Sequence, residues 1–125
     1  MPFDVDGQLV HVAYLDSAAM SPADQDALVN AIRAQAVNGP VGLLFAVGAG
    51  ARVVDPAVSA FWLEQVRNKE LKIRAMAIVT TRLGVRVAAQ AFAQANRVLG
   101  TGLDVAVEQD EAAARAWLLE RLAGR

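Results

Sequence analysis

The feature that most constrains the fold is Val41–Val47, an unbroken run of apolar and small residues between Pro40 and Gly48. A strand with one face in water alternates apolar and polar residues, whereas a strand covered on both faces is apolar throughout. The run is also much shorter than the ~20 residues of a membrane-spanning helix, so we expect no membrane span. It predicts a central strand of a parallel sheet with helices on its faces.

Other segments have the patterns of strands. Asp6-Gly7 is a two-residue turn signal between Phe3–Val5 and the alternating segment Gln8–Leu15, which predicts a hairpin near the start of the chain. Ile73–Val79 predicts a second buried strand, and Leu103–Val107 predicts a last short one.

Helix start signals lie between these strands. Ser21-Pro22 and Asp55-Pro56 each combine a capping side chain with a proline at the first helical position. They predict helices that reach about Val37 and about Asn68. Asp110 is the predicted cap of a last helix. The apolar stripe of that helix is Ala114, Trp117, Leu118 and Leu122.

A further helix is predicted over Leu83–Leu99, where Gly100 ends it. Helical spacing gives this segment an apolar side and a polar side. The apolar side is Val87, Ala91, Ala95 and Val98, and the polar side is Arg86, Gln90, Gln94 and Arg97. We expect Trp62 and Trp117, which have aliphatic neighbours at helical spacing, to lie chiefly in the core.

In chain order the elements are β-β-α-β-α-β-α-β-α, which we interpret as one domain over residues 1–125. Helical crossovers between the later strands predict a mostly parallel central sheet with helices packed on it. The hairpin adds an antiparallel edge. The predicted fold class is therefore α/β.

This order is similar to that of the STAS domain of anti-sigma-factor antagonists, and more closely to that of the SpoIIAA-like group of small bacterial proteins. The terminal half carries most of the resemblance. It contains the strand Ile73–Val79, a helix with Phe92, the strand Val105–Val107, and an acidic, alanine-containing helix over Glu111–Leu118 that ends in Trp-Leu. The resemblance implies a non-enzymatic regulatory module that binds a protein partner.

One departure from that family bears on regulation. Its phosphorylatable members have an Asp-Ser-Ser-Gly-like motif where the third strand meets the second helix, whereas this chain has Asp55-Pro56-Ala57-Val58. Ser59 lies two residues beyond the expected position, and we interpret it as a small helix residue. We therefore expect no phosphoserine switch.

Composition excludes several classes of chemistry. The chain has no cysteine, which excludes disulfides, thiol nucleophiles and cysteine-ligated metals and favours a cytoplasmic location. Twelve basic and thirteen acidic side chains give a net charge of -1, so no overall field attracts nucleic acid. Met1–Gly7 has neither the basic region nor the apolar run of a secretory signal.

His11, the only histidine, lies between two valines of a predicted strand. A general base needs a proton donor and an orienting partner, and a metal needs several ligands, but the spacing around His11 provides neither. We expect a structural role for it, and no catalytic residue, metal or cofactor. An enzyme would require Asp16, Asp55 or His11 to converge in one pocket with shifted pKa values.

Two loops follow predicted parallel strands at their carboxyl ends, where open α/β sheets bind ligands. The loop over residues 48–55 has two glycines but lacks the third glycine of a dinucleotide fingerprint, since position 53 is Val53. In the loop over residues 80–82, hydroxyl groups can hold an anion together with Arg82, but we favour the alternative that Thr81 caps the third helix. The candidate ligand or partner residues are Gly48, Gly50, Arg52, Asp55, Thr81 and Arg82.

The second helix predicts a contact surface. At about 100° per residue its large apolar side chains span about 200°, whereas a sheet-packed helix needs ~100°. With Val58 and Trp62 toward the sheet, Phe61 or Leu63 lies at an exposed margin, and such margins mark protein interfaces. We therefore predict a protein partner or self-association through Phe61 and Leu63. The alternative is binding of a small apolar or anionic ligand near loops 48–55 and 80–82.

Overall fold

The computed structural model describes residues 3–14, 22–47 and 56–123, without the side chains of residues 13, 14 and 56–59. The described strands are β1 (Phe3–Asp6), β2 (Leu9–Tyr14), β3 (Val41–Val47), β4 (Ile73–Val79) and β5 (Asp104–Glu108). The described helices are α1 (Pro22–Ala36), α2 (Pro56–Arg67), α3 (Leu83–Leu99) and α4 (Glu111–Leu122), with a 3-10 turn at Lys69–Leu71. The predicted element order and the α/β class are confirmed.

The described strands form one sheet in the order β1-β2-β3-β4-β5. β1 and β2 pair antiparallel around a turn in which Gly7 has φ +58°, a conformation that glycine adopts without strain. All later pairs are parallel, and their register places His11 beside Leu44 and Ala77 beside Ala106. The predicted hairpin edge and mostly parallel sheet are therefore confirmed.

Three helices share one face of the sheet. Because strand order follows chain order, right-handed crossovers place α1, α2 and α3 on the same side. Ile32, Trp62 and Phe92, one from each helix, belong to a single buried cluster with Leu43 and Met76 of the sheet. This cluster is the larger of the two cores in the described residues.

α4 covers the opposite face, where Ala114 and Leu118 are fully buried. Gly42 of β3 permits its close approach. A Cβ at this glycine would lie 3.1 Å from Leu122 Cδ1 and 3.1 Å from Leu9 Cδ2. Asp110 caps the helix as predicted, because its Oδ1 accepts a hydrogen bond from the N–H of Ala113 at 2.8 Å.

The two tryptophans differ in burial. Trp62 is buried, and its ring meets Phe45 and Phe61 edge to face at centroid distances of 5.0 and 5.1 Å. Trp117 is half-buried at the margin of the α4 core, and the guanidinium carbon of Arg121 lies 5.2 Å from its ring centroid. The core assignment of Trp62 is confirmed. That of Trp117 is confirmed only in part, because Trp117 packs against the α4 core but is half-buried.

The hairpin turn is fixed to the connection between α1 and β3. The Nε2 group of Gln8 lies within hydrogen-bond distance of three backbone carbonyl oxygens, those of Gln35 at 3.0 Å, Gly39 at 2.8 Å and Pro40 at 3.0 Å. Because the group has two N–H bonds, at least one of them is shared between two acceptors. A single amide therefore satisfies carbonyls at the end of one helix and the start of the next strand.

Candidate interaction surface

α3 packs on the sheet through an unexpected side. Its buried residues are Val85, Ala89, Phe92 and Asn96. Val87 and Val98, which the pattern puts on the apolar side, are instead 57% and 75% exposed. The side that the sequence marks as apolar is therefore not the buried one.

The buried side of α3 includes one polar residue, Asn96. Asn96 is 1% exposed, its Nδ2 donates to the carbonyl of Phe92 at 2.9 Å, and its Oδ1 accepts from the hydroxyl of Thr101 at 2.7 Å. Both ends of the amide are thus paired, so its burial leaves no unsatisfied polar group. Gly100, at φ +64°, ends the helix between these two residues.

The opposite side of α3 faces solvent. At about 100° per residue, its four apolar members fall within about 80° of one another around the helix axis. Two glutamines lie among them, and all six residues are exposed. We call these residues the α3 face: Leu83, Val87, Gln90, Ala91, Gln94 and Val98.

Exposed apolar side chains concentrate on this helix. In the described part of the chain seven large apolar residues are exposed, and four of them lie on α3. Three of the four, Leu83, Val87 and Val98, belong to the α3 face, and Leu99 lies outside it. Leu83 is the most exposed of the four, at 76%. Scattered exposed apolar residues are normal, but a contiguous group along one helix marks a contact surface.

α2 holds Phe61 and Leu63 at its two margins. Trp62 and Val66 face the sheet and are buried, whereas Phe61 and Leu63 are half-buried against the same core. A shallow groove of about 380 Å³ runs beside Leu63, lined also by Ala60, Glu64, Arg67 and Asn68. Both predicted interface residues thus keep partial exposure, and their docking role stays a prediction.

The carboxyl edge of the sheet contains the residues of the second predicted loop. Arg82 is the N-cap residue of α3 and has no side-chain cap bond, so the expected capping role of Thr81 is wrong. The buried hydroxyl of Thr80 accepts from the N–H of Arg82 at 3.0 Å, and the N–H of Thr80 donates to the carbonyl of Glu108 at 3.0 Å. Thr81 itself is exposed.

The first predicted loop cannot be placed beside it. Gly48, Gly50, Arg52 and Asp55 lie outside the described residues. Their convergence with Thr81 therefore stays a prediction.

His11 lies on the α4 face of the sheet. Its Nε2 is 3.6 Å from Glu111 Oε1 and makes no hydrogen bond, and Asp4 faces it across the hairpin in register. Within the described ranges, no three His, Asp or Glu side chains are arranged to hold a metal ion. Asp16 and Asp55, the other residues that an enzyme would require, lie outside those ranges.

No helix among the described residues is both long enough and apolar enough to cross a membrane. Comparison with known proteins finds no matching family model, curated protein or solved structure. The resemblance to STAS-like domains therefore rests on the sequence alone.

Proposed function

We propose that the protein is a non-enzymatic interaction module with a STAS-like layout, and that it binds another protein through the exposed side of its helical layer. The α3 face is the observation that carries this proposal. Leu83, Val87 and Val98 are each more than half exposed along one side of one helix. Removing apolar surface from water favours association by about 25 cal/mol per Å². A partner that covered this side of α3 would therefore bind with a favourable hydrophobic contribution to the free energy.

α2 supports the same proposal. It packs beside α3 on one face of the sheet, and it presents Phe61 and Leu63 at its margins. An interface of ordinary size buries about 800 Å² on each partner, more than one helix face supplies. The α2 margins provide area next to the α3 face.

Two valines allow a matched test. Val87 lies on the α3 face, whereas Val37 follows α1 and is 82% exposed. Val87→Glu and Val37→Glu place the same charge at exposed positions, so both variants should remain folded, which circular dichroism and urea unfolding check.

Sedimentation of the purified chains and affinity capture from the native cells then compare the two variants with wild type. We expect Val87→Glu to lose self-association or a specific partner and Val37→Glu to keep it. Phe61→Glu and Leu63→Glu test whether the margins of α2 contribute to the same interface. If wild type is monomeric and all folded variants recover the same proteins, the proposed function is wrong.

A second candidate function is binding of a small anion at the carboxyl edge. It is favoured by the start of α3, where the first N–H groups have no side-chain cap and Thr81 is exposed. Titration with inorganic phosphate, followed by the amide NMR signals of Gly84 and Val85, decides this. Saturable shifts support the candidate, and small linear shifts rule it out.

A further inference from the structure

Charge is unevenly distributed along the chain despite the net value of -1. No Asp or Glu occurs between Glu70 and Asp104, so all thirteen acidic residues lie outside this segment. The segment contains five basic residues, Lys72, Arg74, Arg82, Arg86 and Arg97. α3 lies within it and has no acidic residue.

The fold places two of these charges beside the α3 face. Arg86 and Arg97 lie about 40–60° from Leu83 around the helix axis, on the same flank. Arg97 is exposed and Arg86 is half-buried. The ion pairs of the described residues involve His11, Arg115 and Arg121, so neither flanking arginine has a carboxylate partner among them.

The sheet edge where α3 ends has charges of both signs. α3 runs antiparallel to the strands, so its last turn lies at the amino edge of the sheet, and among the strands it packs mostly against β5. Lys72 and Arg74 are exposed at this edge, and so are Glu70 and Asp104. The positive border of the α3 face is therefore its flank at Arg86 and Arg97.

The pattern identifies the kind of partner. The face from Leu83 to Val98 is about 22 Å long, at 1.5 Å per residue, which matches about four turns of a second helix packed along it. Gln90 and Gln94 lie within the face, and protein side chains can pair with their amides whereas lipid hydrocarbon cannot. A second copy of α3 would bring another basic flank without any acid to oppose it.

We infer that the α3 face, with its basic flank at Arg86 and Arg97, binds an amphipathic helix of a partner protein that carries acidic residues beside its apolar stripe. This inference rests on the proposed function and adds the chemistry of the partner. Complementary charge at the rim of an interface fixes orientation and rejects wrong partners.

Three synthetic peptides test the inference against the full chain. They share one helical scaffold with a leucine stripe at i, i+4, i+7 and i+11, and the flanking positions are Glu, Gln or Lys. Fluorescence anisotropy of the labelled peptides measures affinity at about 0.05 M and about 0.5 M salt. We expect the Glu peptide to bind about tenfold more tightly than the Lys peptide at low salt, and the difference to shrink at high salt.

Variants locate the effect. The double variant Arg86→Glu and Arg97→Glu should reverse the preference to the Lys peptide. Arg33→Glu, which changes an exposed arginine of α1, should leave the preference for the Glu peptide unchanged. Val87→Ser should weaken binding of all three peptides.

The outcomes separate this inference from the proposed function. Equal affinity for the Glu and Lys peptides, with both lost in Val87→Ser, overturns the inference and leaves the proposed function standing. Binding of no peptide at about 1 mM, an affinity of about -4 kcal/mol, overturns the inference, while the capture experiment with Val87→Glu still decides the proposed function. Binding that neither Val87→Ser nor the double variant changes contradicts both.

Discussion

Leu122 of α4 lies so close over Gly42 of β3 that a Cβ on the glycine would be 3.1 Å from the leucine Cδ1. Because Gly42 has no side chain, α4 packs closely against β3 at this position. A Cβ there would also lie 3.3 Å from Leu118 Cδ2, and Leu118 is the fully buried centre of that packing.

Gly42→Val should therefore lose about 1–3 kcal/mol of unfolding free energy, because the larger side chain over-packs the core under α4. Gly42→Ala should lose less, since a single methyl moves flexible leucine ends by a few tenths of an ångström and the unfolded chain loses some freedom. Equilibrium urea unfolding measures both. A Gly42→Val chain as stable as wild type would mean that α4 does not pack this closely.

The contact between Gln8 of the hairpin turn and the connection from α1 to β3 can be tested by placing a negative charge at position 8. Its Nε2 group faces the carbonyl oxygens of Gln35, Gly39 and Pro40, so Gln8→Glu would replace a donor with a carboxylate among three acceptors. We expect Gln8→Glu to be less stable than Gln8→Ala at pH 7, by about 1–3 kcal/mol. Thermal unfolding at pH 7 compares the stabilities of the two variants. A Gln8→Glu chain more stable than Gln8→Ala would contradict the contact between the Gln8 amide and the three carbonyl oxygens.

The difference between the two tryptophans predicts unequal costs. Trp62→Ala should cost about 3–5 kcal/mol, because it removes a buried ring that contacts two phenylalanines. Trp117→Ala should cost less, about 2 kcal/mol, because this side chain is only half-buried at the margin of the α4 core. Urea midpoints compared at equal m-values measure both costs, and equal losses would place Trp117 deeper than described.

The hydrogen bond between the Thr101 hydroxyl and the buried Asn96 amide of α3 can be tested by substitutions at Thr101. Thr101→Val removes the donor to Asn96 Oδ1 and the acceptor of the Leu103 N–H, and should cost about 1–3 kcal/mol, chiefly the penalty of an unpaired buried acceptor at Asn96. Thr101→Ser keeps the hydroxyl and is the matched control, expected to stay close to wild type. If both variants are equally stable, the Asn96–Thr101 hydrogen bond does not contribute to the stability of the fold.

The sequence predicts element types and bounds well wherever local signals exist. Pro22 and Pro56 mark the first residues of α1 and α2, and the apolar runs at Val41–Val47 and Ile73–Val79 are strands with those same bounds. These signals are local because a cap or a proline acts within one turn. A strand that is buried on both faces is likewise recognised locally, because its consecutive residues are all apolar.

The buried side of α3 could not be predicted in the same way. Valine and alanine occur around most of the helix, so hydrophobic contrast does not separate Val85 from Val87. The buried side also contains the polar Asn96, whose Oδ1 is paired by Thr101 in the following loop, a contact that helical spacing does not reveal. One residue does indicate the buried side. Phe92 has the largest side chain of α3 and lies on the side opposite Val87.

Site-specific photo-crosslinking shows whether the α3 face contacts a protein in the cell. Benzoylphenylalanine is introduced in place of Val87 on the α3 face or, as the control, in place of Val37, which is also exposed, and the native cells are irradiated. We expect a discrete crosslinked protein product from position 87 that is absent from position 37. The same products from both positions, or none from position 87, would contradict the claim that the α3 face binds a protein.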